Sequence, residues 1–315
     1  MSSITVRSAL FVLPVFVAGC ASQPIAPPTV ASAVVVPEPK VETPAVKPAP
    51  KPVKRVTNRP ANTKGDVLIL EYHHVLPDET RWGRSQKKFR QDLERLYKAG
   101  FRPITLSEYL SGNFKIPPGA SPVVFTFDDG HINQFRMLDD GTIDPNCAVG
   151  IWKKFAETRP DFPVKATWFV LPPVPFTQKK FAKQKLALLN KWGSEIGIHT
   201  MTHRSFKKLS DEAVKKEIAG SMDWIAKYGI KARTMAMPYG EYPQNKSLLK
   251  AFTHNGKKYS LDGAVRVGAV PSKAPGSKDI KRYGLPRIQG VDLEGGLNWW
   301  LAELKDKPKR LYVAP

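Results

Sequence analysis

Apolar runs of strand length recur along this chain, and each ends in a polar cluster. DVLILEY runs into His73 and His74, VVFTF into Asp128-Asp129-Gly130, EIGI into His199, and TMAM into Pro238-Tyr239-Gly240. Runs this short, rich in β-branched and aromatic residues, read as buried strands. VKATWFVL, LDGAVRVG and YGLPRIQGV read the same way. Between them lie helix-period stretches with start and stop signals. Ser85 opens one whose Phe89, Leu93, Leu96 and Tyr97 share a face, and Gly100 ends it. Thr105 and Glu108 have capping-box spacing. Ser210 opens a long amphipathic stretch to Tyr228, stopped by Gly229. Helices are also expected over 179–192, over 245–254 and through LNWWLAEL. Alternating strands and helices give an α/β fold with a largely parallel sheet. In such sheets functional groups gather at the strands' C-terminal ends. The connection 130–165 is long and reads as an inserted, partly helical excursion. Its Asp139-Asp140-Gly141 follows no apolar run and reads as a plain turn.

The N-terminus is organised differently. Arg7 precedes the apolar run ALFVLPVFVAGC, which is too short to span a bilayer and fits a signal-peptide core. VAGC resembles a bacterial lipobox with Cys20 as the lipidated residue; an ordinary secretory signal cut elsewhere is the alternative. Ala21 and Ser22 follow with no Asp, which resembles sorting to the outer membrane. Residues 21–64 are mostly Pro, Ala, Val and Lys, with no aromatic residue and no helical period. Such a segment is extended, partly polyproline II; at ~3.1 Å per residue, roughly 40 residues reach on the order of 100 Å. The expected organisation is a lipoprotein signal peptide (1–19), a lipidated cysteine with a tether (20–64) and one folded domain (65–315). With Cys20 lipidated, Cys147 is alone, which excludes an intramolecular disulfide and makes Cys147 a packing residue. Lys and Arg outnumber Asp and Glu by 49 to 28, so an anionic partner or membrane surface is favoured. No helix-turn-helix, zinc-finger or RNP-like pattern accompanies the charge, so no nucleic-acid partner is expected.

Adjacent carboxylates at the end of a buried strand repel unless something cationic sits between or beside them. His199 and His203 are four residues apart. Alone, that spacing describes two surface histidines. Following a strand, as Asp128-Asp129 does, the pair lines the same rim. Two imidazoles and one carboxylate make a catalytic-type metal site with a position left for water. A metal there lowers the pKa of its water, and the second carboxylate can serve as general base.

TFDDG, HTMTH and MPYG, in this order, with ATWFV between the first two, resemble the motifs of the polysaccharide deacetylases (NodB-homology, carbohydrate esterase family 4). The likeness covers roughly 67–291. It implies a distorted (β/α) barrel and hydrolysis of N-acetyl groups on amino sugars. By position, Asp128 is implied as base and Asp129, His199 and His203 as metal ligands. The backbone N–H of Tyr239 is implied as an oxyanion donor. The sequence departs from the commonest pattern twice. Ala236 stands where an arginine is usual, and the late Leu-x-x-His is missing. Both departures resemble the PgaB/IcaB-type poly-β-1,6-N-acetylglucosamine deacetylases, in which an early Tyr-His supplies the acid. EYHHV fits that pattern, with His73 as general acid and His74 as the alternative; neighbouring strand residues face opposite ways, so only one points in. Arg287, at the end of a late strand, is expected to supply the cation that Ala236 cannot.

His131 is read as a substrate contact or bystander, Glu195 as orienting a neighbour, and His254 as a surface residue. Among Trp168, Tyr239, Tyr242, Trp299 and Trp300, only Tyr239 is singled out as a sugar-stacking face. The expected cofactor is one divalent ion, zinc by default with nickel or cobalt possible. The expected partners are an N-acetylglucosamine polysaccharide, poly-β-1,6-linked or peptidoglycan, and a membrane through the N-terminal lipid. The chain is expected to be a monomer at the bacterial cell envelope, on the outer membrane facing the periplasm. The rival reading is a glycan-binding lipoprotein on a deacetylase scaffold without turnover.

Overall fold

The computed structural model describes residues 55–315. The expectations for the signal peptide, for Cys20 and for most of the tether lie outside the described residues. Nine strands form one sheet: β1 (Leu68–Tyr72), β2 (Phe101–Ile104), β3 (Ser121–Phe127), β4 (Thr167–Val170), β5 (Glu195–Ile198), β6 (Thr234–Ala236), β7 (Gly263–Val265), β8 (Tyr283–Leu285) and β9 (Ile288–Gln289). Their order is β8-β7-β6-β5-β4-β3-β1-β9. Every pairing in this sheet is parallel. β2 runs beside Ser121–Val124 of β3, and β4 beside Thr126–Phe127. β8 and β9 lie on opposite edges of the sheet, yet only Pro286 and Arg287 separate them. The sheet must therefore curl until its edges meet, which makes the distorted (β/α) barrel. YGLPRIQG reads as a single strand in sequence, but Pro286 has no N–H to give a ladder and divides it there.

Alternation along the strands separates two apolar layers. Leu68, Leu70 and Tyr72 of β1 and Val123, Phe125 and Phe127 of β3 join the larger cluster with the helices. Val67, Ile69, Val124, Phe169, Ala236, Val265 and Leu285 form a smaller cluster on the other face, inside the curl. Carried one pleat further, this inward register reaches Glu71 and then His73 on β1, and Thr126 and then Asp128 on β3. The polar groups thus stand on an apolar plug.

Helices α1 (Gln86–Lys98), α2 (Leu106–Ser111), α3 (Ala148–Ala156), α4 (Ala182–Lys191), α5 (Asp211–Ala226) and α6 (Leu297–Asp306) accompany the sheet. Ser85 caps α1 by accepting from the Lys88 N–H, and Thr105 and Glu108 form a reciprocal capping box on α2. Ser210 caps α5. The excursion 130–165 carries α3, whose cap is the buried Cys147. Asp140 closes a turn onto Thr142, as expected for the second Asp-Asp-Gly.

Two expectations need correction. Residues 245–254 are not one helix: a 3-10 turn (Lys246–Leu249) leads into a hairpin of Ala251–His254 with Lys257–Ser260. Asn255 and Gly256 at its tip have φ of 49° and 73°, the left-handed pair that two-residue hairpins require. The folded unit also begins before residue 65. The Val56 N–H donates to the Pro118 carbonyl, the Thr57 hydroxyl to Gly119, and Asn62 pairs with Val313. Backbone partners on the neighbouring loops hold this stretch despite its polar composition.

Candidate active site

The C-terminal ends of β1, β3 and β5, the turn after β6 and the seam between β8 and β9 converge on one cleft of about 220 Å³. Asp128 follows β3 and is 2% exposed. Arg287, 1% exposed, grips it at two points, with NH1 and NH2 each 2.7 Å from a carboxylate oxygen. The same guanidinium donates to the Thr126 hydroxyl at 3.0 Å and to the Arg266 carbonyl at 3.2 Å. Burial alone would raise the Asp128 pKa; the Arg287 charge outweighs it and holds the group below the usual carboxylate range. The cation missing at Ala236 therefore arrives from the barrel seam.

Asp129 has φ of 71°, so the chain turns sharply and presents its side chain away from Asp128. Its Oδ1 lies 3.4 Å from His199 Nε2 and 3.6 Å from His203 Nε2. Its Oδ2 pairs with His131 Nε2 at 2.9 Å. Burial opposes its ionisation, but the hydrogen bonds from His131 and His199 hold it far below the normal range. His199 Nδ1–H donates to the Ala236 carbonyl at 2.8 Å, which turns Nε2 toward Asp129. Thr200 and His203 both have positive φ (70° and 54°), and the His203 N–H donates to the Thr200 hydroxyl. Glu217 on α5 braces the turn through the Met201 and Thr202 N–H groups. That turn folds the second imidazole back to the first.

Ligand-type atoms of Asp129, His199 and His203 all lie within 4.8 Å of one another. Two imidazole nitrogens and one carboxylate oxygen face a shared point, and the second nitrogen of His199 is fixed by a carbonyl. This donor set fits a divalent cation.

His73 points inward, with Nε2 3.9 Å from Asp128. His74 instead stacks on His131 at 3.7 Å between centroids and pairs with Asn133. The strand register thus puts His73 beside Asp128 and His74 toward the excursion. Tyr239, 64% exposed with φ of 58°, sits with its ring 4.8 Å from His203. Trp168 and Trp300 are buried in the core. Glu195 accepts from Ser107, Thr167 and Thr234 at the other end of β5 from His199. His254 lies 2.8 Å from Glu212.

His131, read in sequence as a substrate contact or bystander, is a direct partner of Asp129. Two members of the site were not singled out in sequence. Trp82, 46% exposed, lies 5.0 Å from the His73 ring and lines the same cleft as the imidazole pair. Glu71 is buried beneath His73. Its signal was present: in LILEYHH, Glu71 and His73 share the inward phase of β1.

A curled parallel sheet with acids, imidazoles and an arginine at one rim defines a (β/α)-barrel enzyme with a hydrolytic type of site. The family model for polysaccharide deacetylase matches residues 115–259. The matched stretch runs from just before β3 to the end of the 251–260 hairpin and includes Asp128, Asp129, His199 and His203. No curated protein sequence matches the chain. Among solved structures it is similar to the deacetylase PplD of Streptococcus pyogenes, determined with acetate. That match has a TM-score of 0.56 and 18% identity, covering 76% of this chain and 97% of that one. A polysaccharide deacetylase of Bacillus cereus gives 0.57 and 16%, covering 76% and 69%. IcaB of Ammonifex degensii gives 0.50 and 18%, covering 76% and 96%. At these identities the likenesses establish the fold.

Proposed function

We propose that this domain removes N-acetyl groups from N-acetylglucosamine units of an envelope polysaccharide. One observation carries the reading: a carboxylate facing two imidazole Nε2 atoms, next to a second carboxylate held ionised by a buried arginine. Asp129, His199 and His203 would hold a divalent cation, zinc by default. When bound, the cation supplies Lewis-acid polarisation of the acetamide carbonyl and makes water more acidic. Asp128 takes the proton of the attacking water, because Arg287 keeps it unprotonated. The Tyr239 N–H donates to the carbonyl oxygen as charge grows on it. His73, beside Asp128, gives a proton to the departing amine as the C–N bond breaks, leaving acetate and a glucosamine unit. The acetate in the PplD structure is the product this chemistry requires. Trp82 and Tyr239 offer exposed ring faces to the sugar.

The test is acetate release from acetylated chito-oligosaccharides by the wild type and by Asp128→Asn. The variant should lose at least about 100-fold; full activity would remove Asp128 from the mechanism. A wild type that binds glycan but holds no metal and releases no acetate would establish the binding-protein alternative. Poly-β-1,6-N-acetylglucosamine and peptidoglycan are both candidate polymers, separated by assaying the two side by side. The lipobox-like VAGC adds an envelope anchor to this proposal. Cys20→Ala should move the protein out of the membrane fraction, and unchanged fractionation would discard the anchor.

A further inference from the structure

Glu71 is a buried acid that the proposed chemistry leaves without a task. It is 3% exposed, and neither carboxylate oxygen has a hydrogen-bond donor. Buried polar atoms are almost always satisfied, so an orphaned carboxyl beside a reaction centre needs a reason. Two basic groups flank it. Arg287 Nε lies 3.3 Å from Oε2, although that N–H is directed at the Arg266 carbonyl. His73 Nδ1 lies 4.0 Å from Oε1. Glu71, His73 and Asp128 also bring ligand-type atoms within 4.8 Å of one another. A second metal is not the explanation, because the Arg287 guanidinium already fills the space between the two carboxylates.

The strand explains the pairing with His73. Residues two apart on β1 project to the same side, so the Glu71 carboxyl lies under the His73 ring. His73 Nε2 faces Asp128 and the cleft, while Nδ1 faces Glu71. An imidazole that gives up a proton at Nε2 works best when Nδ1 is tied to an acceptor, which fixes both ring orientation and tautomer. Hydrogen bonds of this kind are often long before substrate closes the site, and a small rotation of either side chain closes this one.

Building on the deacetylase reading, we propose that Glu71 is the positioning residue of His73: it receives the Nδ1–H and so aims Nε2 at the departing amine. Glu71 touches neither substrate nor metal; it acts through His73.

The test exploits the leaving group. An amine must be protonated to leave, whereas the phenolate of 4-nitrophenyl acetate leaves without a proton. Glu71→Leu should lower kcat on acetylated chito-oligosaccharides about 100-fold, with KM within about twofold. Hydrolysis of 4-nitrophenyl acetate should stay within about threefold of wild type. Glu71→Gln, which keeps an acceptor oxygen, should recover to within about tenfold. In a His73→Ala background either substitution should cost nothing further. Equal losses on amide and ester, or added loss on top of His73→Ala, would overturn the proposal and leave Glu71 a structural partner of Arg287. If Glu71→Leu fails to fold, Glu71→Gln carries the same double-variant comparison. A wild type inactive on the acetylated oligosaccharide would refute the deacetylase reading and this inference together; an active wild type with the wrong Glu71 pattern refutes this inference alone.

Discussion

Removing Arg287 is the perturbation whose cost follows most directly from the structure. Arg287 and Asp128 are both almost wholly buried and joined by two bonds of 2.7 Å. Glu71 approaches the same guanidinium at 3.3 Å. Arg287→Leu keeps bulk at the seam but leaves two buried carboxyls facing each other without their cation. Breaking a buried pair from one side costs about 3–5 kcal/mol, chiefly because a charge is stranded. For a domain of this size each kcal/mol moves the melting point by about 2–4 °C, so the variant should melt roughly 10 °C lower. The assay is thermal unfolding of wild type, Arg287→Leu and the double variant Arg287→Leu/Asp128→Asn. Neutralising the stranded aspartate should return roughly half the loss, since Glu71 remains. A single variant melting within about 2 °C of wild type, or a double variant with no recovery, would show that the ion pair does not hold the seam.

Three further expectations concern the metal, the sugar face and a buried lysine. His203→Ala should purify with little bound zinc where the wild type holds about one ion per chain, measured by atomic absorption after dialysis; equal metal content would remove His203 from the ligand set. Trp82→Ala should raise KM for oligosaccharide about tenfold, ~1.4 kcal/mol of lost contact, with kcat less affected; a pure kcat loss would place Trp82 in the chemistry instead. Lys185 on α4 is fully buried and donates to Gln178 and to the Phe176 carbonyl, with no carboxylate ion pair among the described residues. Burial pushes its pKa down from 10.5 to about 8. The unfolded chain therefore binds more protons between those values, and stability rises with pH across that window. Lys185→Met should melt higher than wild type at pH 7, and the gap should narrow by pH 10; a gap that widens would contradict an unpaired buried charge.

Much of the rim was legible because strand ends are legible. VVFTFDDG and EIGIHTMTH announce an apolar strand and then a polar cluster, and a parallel sheet brings such ends together. Arg287 could be suspected only from the lack of an arginine at position 236. Its partner is set by barrel closure, a property of strand order rather than of any local pattern. Trp82 sits in a loop with no periodicity to flag it. Glu71 was readable in principle, but a single acid inside LILEY is easily taken as the polar end of an apolar run. The helix expected over 245–254 failed because the Asn255-Gly256 turn outweighs a weak helical period.

The closure of the barrel also orders its assembly. Glu71, Asp128 and Asp129 come from the first half of the polypeptide, but the guanidinium that quiets two of them is delivered only when the late segment 283–289 stitches one margin of the sheet to the other. A nascent chain emerging N-terminus first therefore makes these acids well before it makes the cation that offsets them. Loss of that late stitch would open the barrel and strip Glu71 and Asp128 of their counter-charge at the same stroke.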